Sequence, residues 1–92
     1  MDMQATIAGR LNTLGLHHFD FRDDSHLHAG HAGNTGGGHY AVTVVSDAFQ
    51  GIARVQRQRM IQHLLADLFS DGLIHALSIK AQTVAEYQAQ AV

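Results

Sequence analysis

The sequence predicts a mixed α/β domain of the α+β type, with helices packed on one face of a three-stranded sheet. Three observations lead to this prediction: two segments with apolar residues at helical spacing, three segments with strand character, and a helix-capping motif near the end. Together they give the order α-β-β-α-β-α. With 92 residues, 46% of them hydrophobic, the chain suits one small core. We therefore expect a single two-layer domain over residues 1–92.

The first half of the chain contains one predicted helix and two predicted strands. Apolar side chains recur every three or four positions at the start, which predicts a helix over residues 2–14 that ends near Gly15. Residues 17–22 alternate phenylalanine with polar side chains, as a half-buried strand does. Residues 40–45 are rich in β-branched side chains. We expect these two strands to be neighbours joined by a long loop.

The second half contains two predicted helices. Residues 53–70 carry the apolar stripe of one long core-facing helix, and Gly72 is well placed to end it. Thr83 opens the last helix, and Glu86 stands three residues later. This spacing is that of a capping box, in which each side chain bonds the backbone of the other residue.

A strand is predicted over residues 73–81, between these helices. Strict alternation places His75, Leu77 and Ile79 on one face, and Ile74, Ala76 and Ser78 on the other. Burying an unpaired imidazole is costly, so His75 is either hydrogen-bonded in the interior or exposed at the sheet edge. Taken alone, a structural histidine is the favoured interpretation. The same interpretation applies to three further histidines: His17, His18 and His63.

The loop over residues 24–39 is unusually rich in histidine and glycine. It holds four of the eight histidines and five of the nine glycines. Loops of this length without secondary structure are mostly functional or disordered. Several imidazoles on one segment can bind a metal, including free zinc or nickel, but a solvated loop has the same composition. Spacing alone leaves both interpretations open for the four loop histidines: His26, His28, His31 and His39.

The composition of the chain limits the kinds of site and partner that it can have. The chain contains no cysteine, so it cannot supply a thiolate ligand or form a disulfide. Its formal net charge of −2 gives no general attraction for nucleic acid or anionic lipid. The first residues resemble neither a signal peptide nor a membrane span, so we expect a cytoplasmic protein that binds no membrane. We also predict no enzymatic activity, because neither a nucleophile elbow nor a phosphate-binding loop is present.

Arginines near the start of the long predicted helix form the best candidate patch for nucleic acid. Arg54, Arg57 and Arg59 could contact phosphates there. No aromatic stacking platform accompanies them, and the chain is acidic overall. A solvated helix face is the competing interpretation.

Residues 44–87 resemble the BolA family. The shared features are a strand ending in V-V-S, the F-x-G of residues 49–51, an arginine pair at Arg57 and Arg59, and the H-A-L of residues 75–77. Two positions depart from the family pattern. Gln58 replaces a histidine between the arginines, and the family's Thr-Pro and Trp near the C-terminus read Thr83-Val84 and Tyr87.

The resemblance implies a fold similar to class II KH domains and a role in iron-sulfur cluster assembly, trafficking or iron regulation. Family members pair with a monothiol glutaredoxin and bridge a two-iron, two-sulfur (2Fe-2S) cluster with it and glutathione. Matched onto this chain, His75 is the strand ligand. His28 is the best positional match for the loop ligand, followed by His31 and His39, so the chain resembles members with a histidine loop.

The resemblance also implies an alternative function, DNA-binding transcriptional control of morphology and stress responses. In that case Arg57, Arg59 and Lys80 would face the nucleic acid backbone. Whether the protein forms an apo homodimer stays open at this point.

Overall fold

The computed structural model describes residues 2–28 and 37–90, with the backbone alone at 27 and 28. Within these ranges the fold is mixed α+β, which confirms the predicted class. The helices are α1 (Met3–Leu11), α2 (Arg54–Leu64), α3 (Ala66–Ser70) and α4 (Val84–Gln90). The strands are β1 (His18–Asp23), β2 (Gly38–Val45) and β3 (Ile74–Gln82). No helix in the described ranges is long and apolar enough to cross a bilayer.

The three strands form one sheet in the order β1-β2-β3. β1 pairs with β2 in the antiparallel sense, as expected for neighbours joined by a loop, and β2 pairs with β3 in parallel. β3 is therefore an edge strand. The core lies between the sheet and the helices, and its buried members are Ile7, Leu11, Val42, Val44, Phe49, Ile61, Leu65, Leu68, Ile74 and Ala81.

The predicted helix over residues 53–70 is interrupted, so the expectation of one continuous helix was wrong. Leu65 separates α2 from α3 with φ −106° and ψ 9°, outside helical geometry. The interruption lies in the core: Ile61, Leu65 and Leu68 are all buried. Their spacing continues across the break, so apolar periodicity gave no sign of it.

The capping box at the start of α4 is confirmed. The Thr83 N–H donates to Glu86 Oε1 at 2.8 Å, and the Glu86 N–H donates to Thr83 Oγ1 at 3.1 Å. Two of the four N–H groups that a helix start leaves unpaired are satisfied in this way. The helix begins here without the proline of the family pattern because these bonds already fix its first turn.

Candidate metal centre

A β-bulge at the start of β3 determines where His75 points. Gly38 pairs with Ile74 and His39 pairs with Ala76, so His75 has no partner on β2. A residue inserted in this way bends the strand and redirects its side chains. Ile74 is buried while His75 and Ala76 are both exposed. The predicted strict alternation from residue 74 was therefore wrong, because one extra residue shifts the pattern.

The bulge brings two imidazoles together across the β2 and β3 strands. The ring centroids of His39 and His75 lie 5.0 Å apart, with 41° between the ring planes. His39 is half-buried and His75 is exposed. Of the two alternatives left open for His75, exposure at the sheet edge is the one observed. Two side chains 36 positions apart in the chain thus form a pair that solvent, or a partner, can reach.

Backbone and hydroxyl bonds hold His39 against the end of β1. The His39 N–H donates to Ser25 Oγ at 3.0 Å, and its carbonyl accepts the Asp24 N–H at 2.7 Å. The Ser25 N–H in turn donates to Asp23 Oδ1 at 2.9 Å. Hydrogen bonds from the Ser25 hydroxyl and N–H lower the pKa of Asp23. Ser25 begins a short 3-10 helix (Ser25–His28), so the entrance of the histidine loop is tied to the half-buried member of the pair.

The loop candidates have different outcomes. His39 lies beside His75, as just described. His28 ends the 3-10 helix, but its ring is not among the described side chains. His31 lies outside the described residues, and His26 is exposed. The ranking of His28 above the other loop histidines stays a prediction.

The donor set of the pair suits a borderline metal that accepts nitrogen. Two nitrogens bound to one tetrahedral ion at about 2.0–2.1 Å lie about 3.4 Å apart. Imidazole rings with centroids 5.0 Å apart are close enough for two of their nitrogens to come to that separation if the side chains rotate. No cluster of three or more histidine, cysteine, aspartate or glutamate side chains suited to a metal occurs among the described residues. The pair by itself therefore supplies two ligands, and an ion bound there would need more.

Arg57 has a structural role, which argues against its predicted contact with nucleic acid. Only 6% of this residue is exposed. Its Nε donates to the Ile52 carbonyl at 2.8 Å and its Nη1 to the Ala81 carbonyl at 3.1 Å. The same Nη1 donates to Glu86 Oε1 at 2.7 Å. A guanidinium engaged in this way has little to offer a phosphate, and the contact of Arg57 with nucleic acid stays a prediction.

Arg59 and Lys80, two of the three residues expected to face DNA in the alternative function, lie on different sides of the sheet. Arg59 is exposed on α2, where it lines a groove with Thr13 and Leu14, which follow α1. Lys80 pairs with Thr43, one position from the core-facing Val42 and Ile79. Strand alternation places Lys80 on the opposite face from α2. Arg59 and Lys80 therefore do not form one surface.

Gln58, at the position where the family pattern has histidine, has a structural role. Its Nε2 donates to the Ile79 carbonyl at 2.7 Å. Together with Arg57 on Ala81, it satisfies carbonyls in the second half of β3. An edge strand with its polar groups covered is protected from pairing with another chain.

Two histidines outside the loop, His18 and His63, have different surroundings. His18 bonds Asp20 Oδ2 at 2.8 Å and stacks on the Tyr87 ring at a centroid distance of 4.7 Å. Tyr87 stands where the family pattern has tryptophan, and it makes this aromatic contact in the present chain. His63 is exposed on α2, away from the pair.

Comparison with known proteins identifies the family. The BolA-like protein family matches residues 11–86, which include β1, β2, β3 and the start of α4. This chain belongs to the BolA-like family. The BolA domain of SufE1 from Arabidopsis thaliana superposes with a TM-score of 0.79 at 41% identity, covering 94% of this chain and 96% of that one. BolA1 from Mus musculus gives a TM-score of 0.79 at 31% identity, covering 100% and 73%.

Curated BolA-like relatives are longer than this chain. SufE-like protein 1, chloroplastic/mitochondrial, from Arabidopsis thaliana is 48% identical over 73 residues, which are 73% of this chain and 19% of the relative. Protein BOLA1, chloroplastic, from the same plant is 44% identical over 68 residues, covering 70% and 42%. The chain thus spans less than half the length of these two relatives.

Proposed function

We propose that this BolA-like protein is a non-enzymatic partner of a monothiol glutaredoxin, and that it contributes imidazole ligands to a shared 2Fe-2S cluster. The observation that carries this proposal is the contact between the His39 and His75 rings, 5.0 Å apart at an accessible strand edge. The partner would bring a cysteine, and glutathione a second thiol. The proposed role of the protein is in iron-sulfur cluster assembly, cluster trafficking or iron regulation.

The composition of the chain suits half of such a site. Without cysteine, the protein cannot complete a cluster from its own thiolates. Two imidazoles can replace two thiolates on one iron, as in Rieske centres, where this substitution raises the reduction potential. In this proposal His39 and His75 bind through neutral ring nitrogens, and Ser25 holds the backbone of His39 in place.

The BolA-like relatives support the proposal at the level of the family. One of them carries its BolA domain within a SufE-like protein, so this fold occurs joined to another unit. A small domain used as a module beside a second protein is the arrangement proposed here. The glutaredoxin partner of this chain is part of the proposal and is not taken from these relatives.

Spectroscopy of the reconstituted complex tests the proposal. The full chain is mixed anaerobically with a monothiol glutaredoxin, glutathione, iron and sulfide, and visible absorption and circular dichroism are recorded. We expect a cluster spectrum that differs from that of the glutaredoxin alone and that changes in His39→Ala and His75→Ala. His63→Ala is the matched control, because it removes an exposed imidazole that lies on α2 and not on the two strands of the pair. Unchanged spectra in both variants of the pair would contradict the proposal.

The same series separates the loop histidines. His28→Ala and His31→Ala are measured beside His39→Ala. If His39 is the loop-side ligand, only its removal reproduces the effect of His75→Ala. A larger effect of His28→Ala would instead support the family's positional match and assign His39 a supporting role.

DNA binding, the alternative prediction, has less support from the described charges. Arg57 is engaged with Glu86 and two carbonyls, and Arg59 and Lys80 lie on opposite sides of the sheet. A gel-shift titration at two salt concentrations tests it, since phosphate contacts produce a steep salt dependence. Binding that weakens with salt and with Arg59→Ala or Lys80→Ala would support this alternative.

A further inference from the structure

Gly37 lies where the chain returns from the histidine loop to β2. Its φ is +79°, in the left-handed region that favours glycine. A Cβ built at this position would stand 2.9 Å from the Gly72 carbonyl oxygen and 3.2 Å from His75 Cβ. The backbone of Gly37 therefore packs directly on the turn that precedes β3 and on His75 itself.

A neighbouring hydrogen bond ties the same two segments together. The Gly38 N–H donates to the Leu73 carbonyl at 3.0 Å, immediately before the bulge. The starts of β2 and β3 are thus held at close range on one side by this bond and by the bare Cα of Gly37. His39 lies two residues beyond Gly37, so the spacing of the two strand starts sets the spacing of the two rings.

We propose that Gly37 is a positioning residue, which keeps the His39 and His75 rings close enough to bind one metal centre. Any side chain at this position meets a backbone oxygen and the root of His75, and neither can rotate away. The starts of the strands must then separate at the point where the rings meet. The consequence for a cluster rests on the proposed function, whereas the consequence for the ring separation does not.

Other glycines provide a control for backbone strain. Gly15 has φ +71°, and a Cβ built there meets nothing within 4 Å. Gly15→Ala therefore imposes the same unfavourable φ as Gly37→Ala but no contact. Gly37→Asn adds a second comparison, because asparagine tolerates positive φ better than alanine and still carries a Cβ. Gly15→Asn is its matched control.

Nuclear magnetic resonance of the full chain, without partner or metal, measures the ring contact. In the unsubstituted protein we expect nuclear Overhauser effects between ring protons of His39 and His75. These effects weaken several-fold in Gly37→Ala and Gly37→Asn and persist in both Gly15 variants. Persistence of the ring contact in the Gly37 variants, or its absence from the unsubstituted protein, would overturn the proposal. Complete unfolding of both Gly37 variants beside folded Gly15 variants would also overturn it, because Gly37 would then support the whole fold.

The cluster spectrum supplies a second, independent measurement. In the glutaredoxin mixture, the Gly37 variants should alter the spectrum in the same sense as His75→Ala, while the Gly15 variants leave it unchanged. A normal spectrum in Gly37 variants that have lost the ring contact would overturn the role of Gly37 in the site. If the unsubstituted protein gives no shared cluster, the proposed function fails, and the ring contact alone then decides the role of Gly37.

Discussion

The two ends of β3 use polar side chains in opposite ways. At residues 79–82, Arg57 and Gln58 from α2 bond the carbonyls of Ala81 and Ile79, and Glu86 completes the network. At residues 74–76, a bulge leaves His75 exposed, 5.0 Å from the ring of His39. Polar groups at residues 79–82 are hydrogen-bonded within the protein, whereas the His75 side chain at residues 74–76 is exposed to solvent.

This difference separates a structural role from a binding role. A buried charge must be paired within the protein, because leaving it unpaired costs several kilocalories per mole. An exposed imidazole carries no such requirement, so the fold can hold it ready for a ligand. Removing side chains at the first end should therefore cost stability, whereas removing them at the second should cost binding.

Arg57→Ala should give the largest effect at the structural end. The substitution removes the guanidinium that donates to the carbonyls of Ile52 and Ala81, and it leaves the Glu86 carboxylate with weaker pairing. We expect a loss of about 3 kcal/mol in the free energy of unfolding, measured by urea denaturation. Arg59→Ala is the control, since this exposed arginine two residues further along the same helix should change stability by about 0.5 kcal/mol or less. Equal losses of stability in Arg57→Ala and Arg59→Ala would contradict the structural role of Arg57.

Low pH should reduce the stability of the protein, because Glu86 is protonated there. The Arg57 guanidinium and the Thr83 N–H lower the pKa of Glu86 from 4.5 to about 2. Between these values the unfolded chain binds a proton that the folded chain does not, so stability is full above about pH 4.5 and falls as the pH drops towards 2. Glu86→Gln should be less stable than the unsubstituted protein at pH 7, and the gap should narrow over this window.

Denaturation series at several pH values measure this gap. Other carboxylates with lowered pKa, such as Asp23 and Asp67, titrate in both proteins and cancel in the difference. A gap that stays constant from pH 7 to about pH 2 would show that Glu86 contributes without its charge.

Gln58→Ala should have a smaller effect at the same end. It removes one neutral hydrogen bond to the Ile79 carbonyl, in a half-buried position that water can partly reach. We expect a loss of about 1 kcal/mol in the free energy of unfolding. Gln56→Ala, on the exposed surface of the same helix, is the control. An unchanged stability in Gln58→Ala would mean that water donates to the Ile79 carbonyl as well as Gln58 does.

His75→Ala should have the smallest effect on stability. Its ring is exposed, and removing it leaves no buried group unpaired. We expect a change of about 0.5 kcal/mol or less in thermal or urea denaturation. A loss as large as that of Arg57→Ala would assign His75 to the fold and remove the contrast between the two ends of β3.

Much of the fold could be read from local patterns. The order of elements, the pairing of β1 with β2, and the capping box of Thr83 and Glu86 depend on periodicity and on spacings of a few residues. Such patterns could not reveal the break at Leu65, because apolar spacing continues through it. Nor could they reveal the bulge at His75, which depends on how β2 and β3 align.

The sequence named candidate residues for the site but not how the fold arranges them. Residue types and the family resemblance indicated histidine ligands, with His75 on a strand and partners in the loop. Ser25 and Gly37 gave only weak signals, as a serine at the end of a strand and a glycine before one. Their contacts with His39 and His75 join positions that are distant in the chain.

By itself, the sequence determined which elements form and which ligand atoms the chain can offer, because helical and strand periodicity and the lack of thiols are properties of the covalent chain. Only the tertiary structure decided how those groups are used. It buried Arg57 against Glu86 and exposed His75 beside His39, because burial and ring separation depend on strand register and on contacts between distant segments.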